Sequence, residues 1–446
     1  MWGGATGKRQ RTYLSFLQPR LRQGDDGGVI LERVECSRYR ASKKLLDHVN
    51  RVIQGKPEYV LLDEQLVVYH RIMKNAEDGA RAKKKSVIIV RGGPGTGKSV
   101  IALKLLGDLS GKGLNTHYVS GSRAFNGVIR QIVGARAGQQ IKFSNDYMEA
   151  EYNAIDVMVC DESHRIRAVS TASRFLPKRK KKSVVPQVVE LLNASKTAVF
   201  FVDDKQIVRP GEIGSSDYIR QHAEAAKLNI LEYELEAQFR CSGSDAFVNW
   251  VNTTLGIQRT ANVLWNVKSP FDFKIFDSPD ALEAVIKEMA KNGTARLTAG
   301  FCWPWSNPLS DGTLPNDVVI GGYARPWNAK SGAGHLAPGI PRETLWAYDP
   351  NGINQIGCIY TAQGFEFDYV GVIFGNDLVY DPHLACWRGE PERSADRTVR
   401  RSAEGFLTFV KNTYRVLLTR GLKGCYVYFM DKATETFVRS RMETGE

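Results

Sequence analysis

The sequence predicts an α/β chain in which helices cover the parallel sheets of two successive units, and three observations carry that prediction. Short apolar runs alternate with helix-patterned stretches along most of the 446 residues. One of those runs opens into a glycine-rich turn that ends in a lysine and a hydroxyl just before a helix, at Gly92 to Ser99. A later run ends in two adjacent carboxylates, Asp161 and Glu162.

Taken in order, residues 1–75 read as a leading appendage, basic and mixed at first, then helix-patterned from Ser42 to Ile53 and from Glu64 to Met73. A first lobe follows over 76–226. It has strands at Ser86 to Val90, Thr116 to Ser120, Ala154 to Cys160 and Thr197 to Asp203, with helices between them, among them Val100 to Leu109 and Val184 to Leu192. Strands this uniformly apolar are buried on both faces, as in a parallel sheet sandwiched by helices. A second lobe is expected over 227–446, opening with the strand Ile230 to Leu235. It continues through Phe273 to Phe276, a helix over 280–291, Ala295 to Phe301, Tyr369 to Phe374 and Cys425 to Phe429. An irregular Gly-, Pro- and Trp-rich insertion, 302–352, interrupts it and holds Trp303, Trp305, Trp327 and Trp346. Tryptophans in such a loop either stack on unpaired bases or anchor the loop against its own domain.

Composition bounds the function. A 43% hydrophobic, 24% charged chain of this length buries ample core. No apolar run approaches the roughly 18 residues that span a bilayer, and the start of the chain has no secretory pattern, so a cytoplasmic protein without a membrane partner is expected. The seven cysteines are scattered and none forms a C-x-x-C pair, which fits a reducing compartment and no structural zinc. The net charge of +13 is uneven: residues 1–60 carry 12 Lys or Arg against 6 Asp or Glu, and residues 165–182 carry 8 against none. Such charge favours polyanions, nucleic acid being the common one. The run Lys178 to Lys182 fits either that role or a solvated loop.

The stretch Gly92-Gly93-Pro94-Gly95-Thr96-Gly97-Lys98-Ser99 has the G-x-x-x-x-G-K-[ST] pattern in its proper strand–loop–helix context. Glycines let successive backbone N–H groups turn onto phosphate oxygens at a helix N-terminus. Lys98 then reaches the β- and γ-phosphates of ATP, and Ser99 holds Mg²⁺. Asp161 is suited to the Mg²⁺ shell and Glu162 to deprotonating the attacking water. His164 reads more simply as a local hydrogen-bond partner.

Further segments fall in one order: Val202-Asp203-Asp204-Lys205-Gln206, Gln238-Phe239-Arg240, Thr361-Ala362-Gln363-Gly364-Phe365-Glu366-Phe367 and Val416-Leu417-Leu418-Thr419-Arg420-Gly421. The series resembles superfamily 1 helicases. The resemblance implies two RecA-like P-loop NTPase domains with ATP in the cleft between them. It implies that Gln206, Arg240 and Arg420 reach the γ-phosphate, that Gln65 reads adenine, and that the Gly364 and Glu366 element couples nucleotide to a nucleic-acid strand. Two residues depart from the superfamily pattern: Val202 stands where glycine is usual, and Gln363 where lysine is frequent. Over residues 40–440 the chain resembles more narrowly the bacterial Schlafen-like DNA/RNA helicase domain family, often found beside GIY-YIG nuclease domains, on stretches such as YELEAQFRCSGSD, GFCWPWS and NTYRVLLTRGLKGCYVYFMD. This implies a nucleic-acid-dependent ATPase that translocates on, remodels or unwinds single-stranded DNA or RNA, with a nuclease or another defence or repair protein as a possible partner. The alternative is an ATP-dependent switch that controls such a partner without unwinding. No strand-separating pin and no nuclease motif is readable.

Overall fold

A computed structural model of the chain describes residues 45–54, 61, 63–82, 84–170, 183–236 and 245–443, all within the second of the chain's two units, Ala41–Glu446. The predicted site residue Arg240 and the basic run 178–182 lie outside the described residues.

Two helices, α1 (Leu45–Ile53) and α2 (Asp63–Ala82), precede the first strand. The first lobe then runs β1 (Ser86–Gly92), α3 (Lys98–Gly111), β2 (Thr116–Ser120), α4 (Arg123–Gly138), β3 (Ile141–Lys142), β4 (Ile155–Asp161), α5 (Gln187–Ala194), β5 (Ser195–Val202), α6 (Ser216–Ala225) and β6 (Asn229–Leu235). Its sheet is parallel throughout, in the order β3-β2-β4-β5-β1-β6. The chain leaves β1 and crosses over β5 and β4 to reach β2, so the strand order reverses beside β1. The carboxyl ends of strands at such a reversal open a crevice. The glycine-rich turn, the Asp161–Glu162 pair and Asp203 all follow strands at that edge.

Two expected boundaries move. The strand predicted to open the second lobe is β6, which pairs in parallel with β1 from Ser86↔Asn229 to Gly92↔Leu235 and belongs to the first sheet. Its alternation of apolar and acidic residues suits an edge strand with one face in solvent, a pattern that does not say which sheet it joins. Likewise, the leading segment was expected to end at residue 75, yet α2 continues to Ala82 and buries Val68, Ile72 and Ala76 in the same core as β1 and α3. A helix with one apolar stripe needs a neighbour to cover it, and here the first sheet supplies it.

The second lobe comprises α7 (Asp245–Thr254), β7 (Asp272–Phe276), α8 (Pro279–Ala290), β8 (Ala295–Ala299), the hairpin β9 (Val318–Ile320) with β10 (Tyr323–Arg325), α9 (Ile359–Ala362), β11 (Phe367–Phe374), the hairpin β12 (Leu378–Asp381) with β13 (Cys386–Gly389), α10 (Arg397–Arg400), α11 (Phe406–Leu418), β14 (Gly421–Phe429) and α12 (Lys432–Arg439). Its main sheet, β7-β14-β11-β8, is again parallel. Among the described residues no helix is long and apolar enough to cross a membrane.

The insertion's tryptophans are anchors. Trp303, Trp327 and Trp346 are buried. The indole N–H groups of Trp303 and Trp305 donate to the carbonyls of Val319 (2.9 Å) and Asn328 (2.7 Å), and that of Trp346 donates to Gln355 (3.2 Å). The Trp346 ring lies where a Cβ on Gly357 would stand, so only glycine lets it seat there. Arg296 of β8 ties the same segment down from below, donating to the carbonyls of Trp346 (3.1 Å) and Asp349 (2.6 Å).

Candidate nucleotide site between the lobes

The phosphate loop joins β1 to α3. Gly97 caps α3 with φ 82° and ψ 16°, a left-handed conformation that side chains disfavour, and Gly95 has φ 83°. Thr96 Oγ1 donates to the Gly93 carbonyl at 3.1 Å, drawing the loop tight. Lys98 Nζ donates to the carbonyls of Gly92 (2.7 Å) and Gly93 (2.6 Å), so the ammonium lies over the loop. Gln65 of α2, expected to read adenine, donates through Nε2 to the Thr96 carbonyl at 2.9 Å. Its amide packs where a Cβ on Gly97 would be, so its contact is with the loop itself.

Asp161 ends β4. It accepts from Tyr118 Oη at 2.7 Å and from the Glu162 N–H at 2.9 Å, and it is hydrogen-bonded to Ser99. Burial, then the neighbouring Glu162 charge, raise its pKa. Glu162 sits at φ 52°, a strained backbone for a residue with a side chain. Burial pushes its carboxyl up, but His164, Arg165 and Arg420 outweigh it and hold the pKa at about 2. Two adjacent carboxylates are therefore driven in opposite directions, a pattern that separates chemical roles. Among the described residues no three His, Cys, Asp or Glu side chains are grouped to hold a metal. One hydroxyl and one carboxylate are instead a donor set that fits Mg²⁺ shared with phosphate and water.

After β5, Asp203 accepts from Lys205 N–H (3.0 Å) and from Gln206 Nε2 (2.8 Å). Burial raises its pKa, but Arg415, Lys98, His164 and Gln206 together bring it below the usual carboxylate value. Gln206 is buried, and its Oε1 has no hydrogen-bond partner among the described residues.

The second lobe closes on this group along one seam. Gln363 Nε2 lies 3.1 Å from His164 Nε2 and donates to the Gln206 carbonyl at 3.3 Å, while His164 Nε2 is 3.2 Å from Glu162 Oε2. Arg420, just past α11, donates to the carbonyls of Val416 (3.0 Å) and Phe365 (3.3 Å) and is one of the charges bearing on Glu162. Asn412 of α11 donates to the Ile207 carbonyl at 2.8 Å, and the Arg209 guanidinium stacks 3.3 Å above the Tyr360 ring. Gly364 (φ 93°) and Phe365 lie against Ser122 and Phe125 at the start of α4, the two phenyl rings 5.9 Å apart. Glu366 is half-buried beside them.

Lys98, Asp161, Glu162 and Gln206 thus follow strands of the first lobe, and the charge of Arg420 from the second bears on Glu162. The Schlafen group 3, DNA/RNA helicase domain matches residues 85–431. The chain belongs to this family. Within it, the matched segment runs from the strand before the phosphate loop to the strand after Arg420, and so takes in both lobes of a helicase-type P-loop fold. The Schlafen-family chain is 25% identical over 397 residues to the uncharacterized protein YPL245W of Saccharomyces cerevisiae, covering 78% of this chain and 83% of that one. Among solved structures it is similar to the Pif1 helicase from Candida albicans at 10% identity, covering 86% of this chain and 99% of that one, with a TM-score of 0.35. It is also similar to AMPPCP-bound DnaA from Aquifex aeolicus at 14% identity, spanning 46% of this chain and 56% of that one, with a TM-score of 0.23.

Three groups in this Schlafen-family cleft had no role in the sequence reading: Tyr118, Asp203 and Arg415. Arg415 was visible as a second arginine shortly before Arg420. Its burial depends on which face of α11 meets the first lobe, which no local pattern reports.

Proposed function

We propose that the chain is a nucleic-acid-dependent ATPase of superfamily 1 helicase type, which binds ATP between its lobes and uses hydrolysis to move along or remodel single-stranded DNA or RNA. The observation that carries this reading is that Lys98, Asp161, Glu162 and Gln206 follow the carboxyl ends of β1, β4 and β5 while the charge of Arg420, from the other lobe, bears on Glu162.

In this reading Lys98 exchanges its loop carbonyls for phosphate oxygens. Ser99 and Asp161 would hold Mg²⁺, which would supply positive charge against the phosphates. Glu162 takes the proton of the attacking water, whose oxygen bonds to the γ-phosphorus as the bond to the β-phosphate oxygen breaks. Negative charge on the triphosphate opposes the cations that keep Glu162 a weak base, so substrate itself raises its basicity. Arg420 stabilises charge on the transferring group only when the lobes are closed, a contribution on the order of 10³–10⁵ in rate in related chemistry.

A nucleic-acid track is supported by Arg123 at the start of α4, Arg165 and Arg167 after Glu162, and Arg209 after Gln206. The charges of Arg209, Arg165 and Arg123 each bear on Arg167, with Glu212 partly offsetting them. Exposed Arg123 and Arg167 suit phosphate contacts.

The test is ATP turnover with and without single-stranded DNA and RNA across a salt series. Stimulation that fades as salt rises supports the proposal. Turnover indifferent to nucleic acid supports instead a nucleotide-controlled switch acting on a nuclease or other partner. Lys98→Ala is expected to abolish hydrolysis with the fold intact, and wild-type turnover by that protein would falsify the assignment.

A further inference from the structure

We infer that Arg415 is a positioning residue for hydrolysis, acting from the second lobe through Asp203 to set the side chain of Gln206. The inference rests on the ATPase reading above and adds a route by which the second lobe governs the geometry of the water.

Arg415 Nη1 lies 3.7 Å from Asp203 Oδ2, and the two side chains are 2% and 4% exposed. A cation and a carboxylate buried this deeply are held by more than each other. Arg415 Nε donates to Asn252 Oδ1 of α7 at 2.7 Å, and Nη1 to the Lys205 carbonyl at 3.5 Å. The guanidinium is thereby fixed to its own lobe at one end and engages the turn after β5 at the other.

Asp203 Oδ2, the oxygen facing Arg415, is also the one that accepts from Gln206 Nε2 at 2.8 Å. That bond commits the donor end of the Gln206 amide and fixes which way the amide points. The end left over is Oε1, buried and without a partner among the described residues. An acceptor is what a water needs when it is to be oriented by one of its protons while losing the other to Glu162. If Arg415 withdraws as the lobes part, Asp203 loses the nearest cation of the second lobe and the carboxylate that aims the Gln206 amide is freed to turn. Misplacing a group that positions the reacting water by about 1 Å reduces turnover by about 100-fold.

The experiment is steady-state ATP hydrolysis by the full chain for wild type, Arg415→Gln, Asp203→Asn and the double variant, with thermal melts of each. Arg415→Gln and Asp203→Asn are each expected to lower kcat by about 100-fold with the KM for ATP unchanged. The double variant should fall no further than either, because the two residues act as one unit. Arg415→Lys, which keeps the charge, should recover part of kcat. Unchanged kcat in Asp203→Asn, or losses that multiply in the double variant, overturns the inference while the ATPase reading stands. An Arg415→Gln protein that does not fold leaves Asp203→Asn and Arg415→Lys to decide it by the same kcat against KM split. A wild-type chain without turnover overturns the ATPase reading itself, and this inference with it.

Discussion

Asp161 and Glu162 are neighbours in sequence and opposites in energetics. The raised pKa of Asp161 means that its charge is less comfortable in the folded cleft than in the unfolded chain, so at neutral pH it destabilises the fold. The depressed pKa of Glu162 has the reverse sign: its contribution is fully present above the ordinary glutamate value and is lost as pH falls toward about 2. Asp161→Asn is therefore expected to raise the melting temperature in metal-free buffer, and Glu162→Gln to lower it, while both abolish turnover. Melts of the two variants at pH 7 read this directly, and shifts of the same sign would contradict the assignment. Asp203 is also depressed, so stability in acid should decline through the carboxylate range. Asp203→Asn should flatten that decline. Asp161 and Glu162 were legible in the sequence as candidates because they follow an apolar strand at a set spacing from the phosphate loop. Their opposed environments were not, since those depend on Tyr118 from β2 and on His164, Arg165 and Arg420 converging from three places.

At the scale of elements, the phosphate loop is braced from outside by α2 through Gln65. Gly97→Ala places a side chain in a left-handed backbone, which costs roughly 1–2 kcal/mol, and pushes against the Gln65 amide. The expected result is that loss of stability in chemical denaturation, together with weaker ATP binding in a nucleotide titration. Gln65→Ala in the Gly97→Ala background should recover part of the second effect. Strands β1, β2, β4 and β5 were readable from apolar runs, β2 residue for residue, whereas the two-residue β3 was too short to show one. The assignment of β6 failed because pairing is non-local: Ile230, Leu231, Tyr233 and Leu235 would alternate in the same way on either sheet. The hairpins β9–β10 and β12–β13 were missed because their strands are too short to show a period. The tryptophans of the insertion proved to be packing residues, as the donated N–H bonds of Trp303, Trp305 and Trp346 and the burial of Trp327 attest.

For the whole molecule the seam between the lobes is the feature that matters. It combines Gln363 on His164, Asn412 on Ile207, Arg209 over Tyr360 and Phe365 against Phe125. A desolvated cation–π contact is worth about 2 kcal/mol, so Arg209→Ala should loosen the seam without unfolding either sheet. Hydrogen exchange is expected to rise in Ile359–Ala362 and α11 while β4 and β5 stay protected. Unchanged exchange there would show that Arg209 holds nothing across the seam. The same arginine neighbourhood offers a second reading of the molecule in solution. If Arg123 and Arg167 each neutralise one phosphate of a bound single strand, replacing both with glutamine should lessen the slope of log affinity against log salt by about 0.7 per residue.

The bonds that Lys98 makes to Gly92 and Gly93 also bear on how tightly this cleft can hold anything. A triphosphate that claims the ammonium must first release two short charge-assisted bonds, so binding is an exchange of partners. The net gain is smaller than the number of phosphate contacts suggests, and calorimetry should record a modest enthalpy. After cleavage fewer phosphate oxygens compete for the lysine, and the carbonyls of the loop are at hand to take it back. In the proposed reaction, then, the loop would expel its product by reclaiming its own lysine.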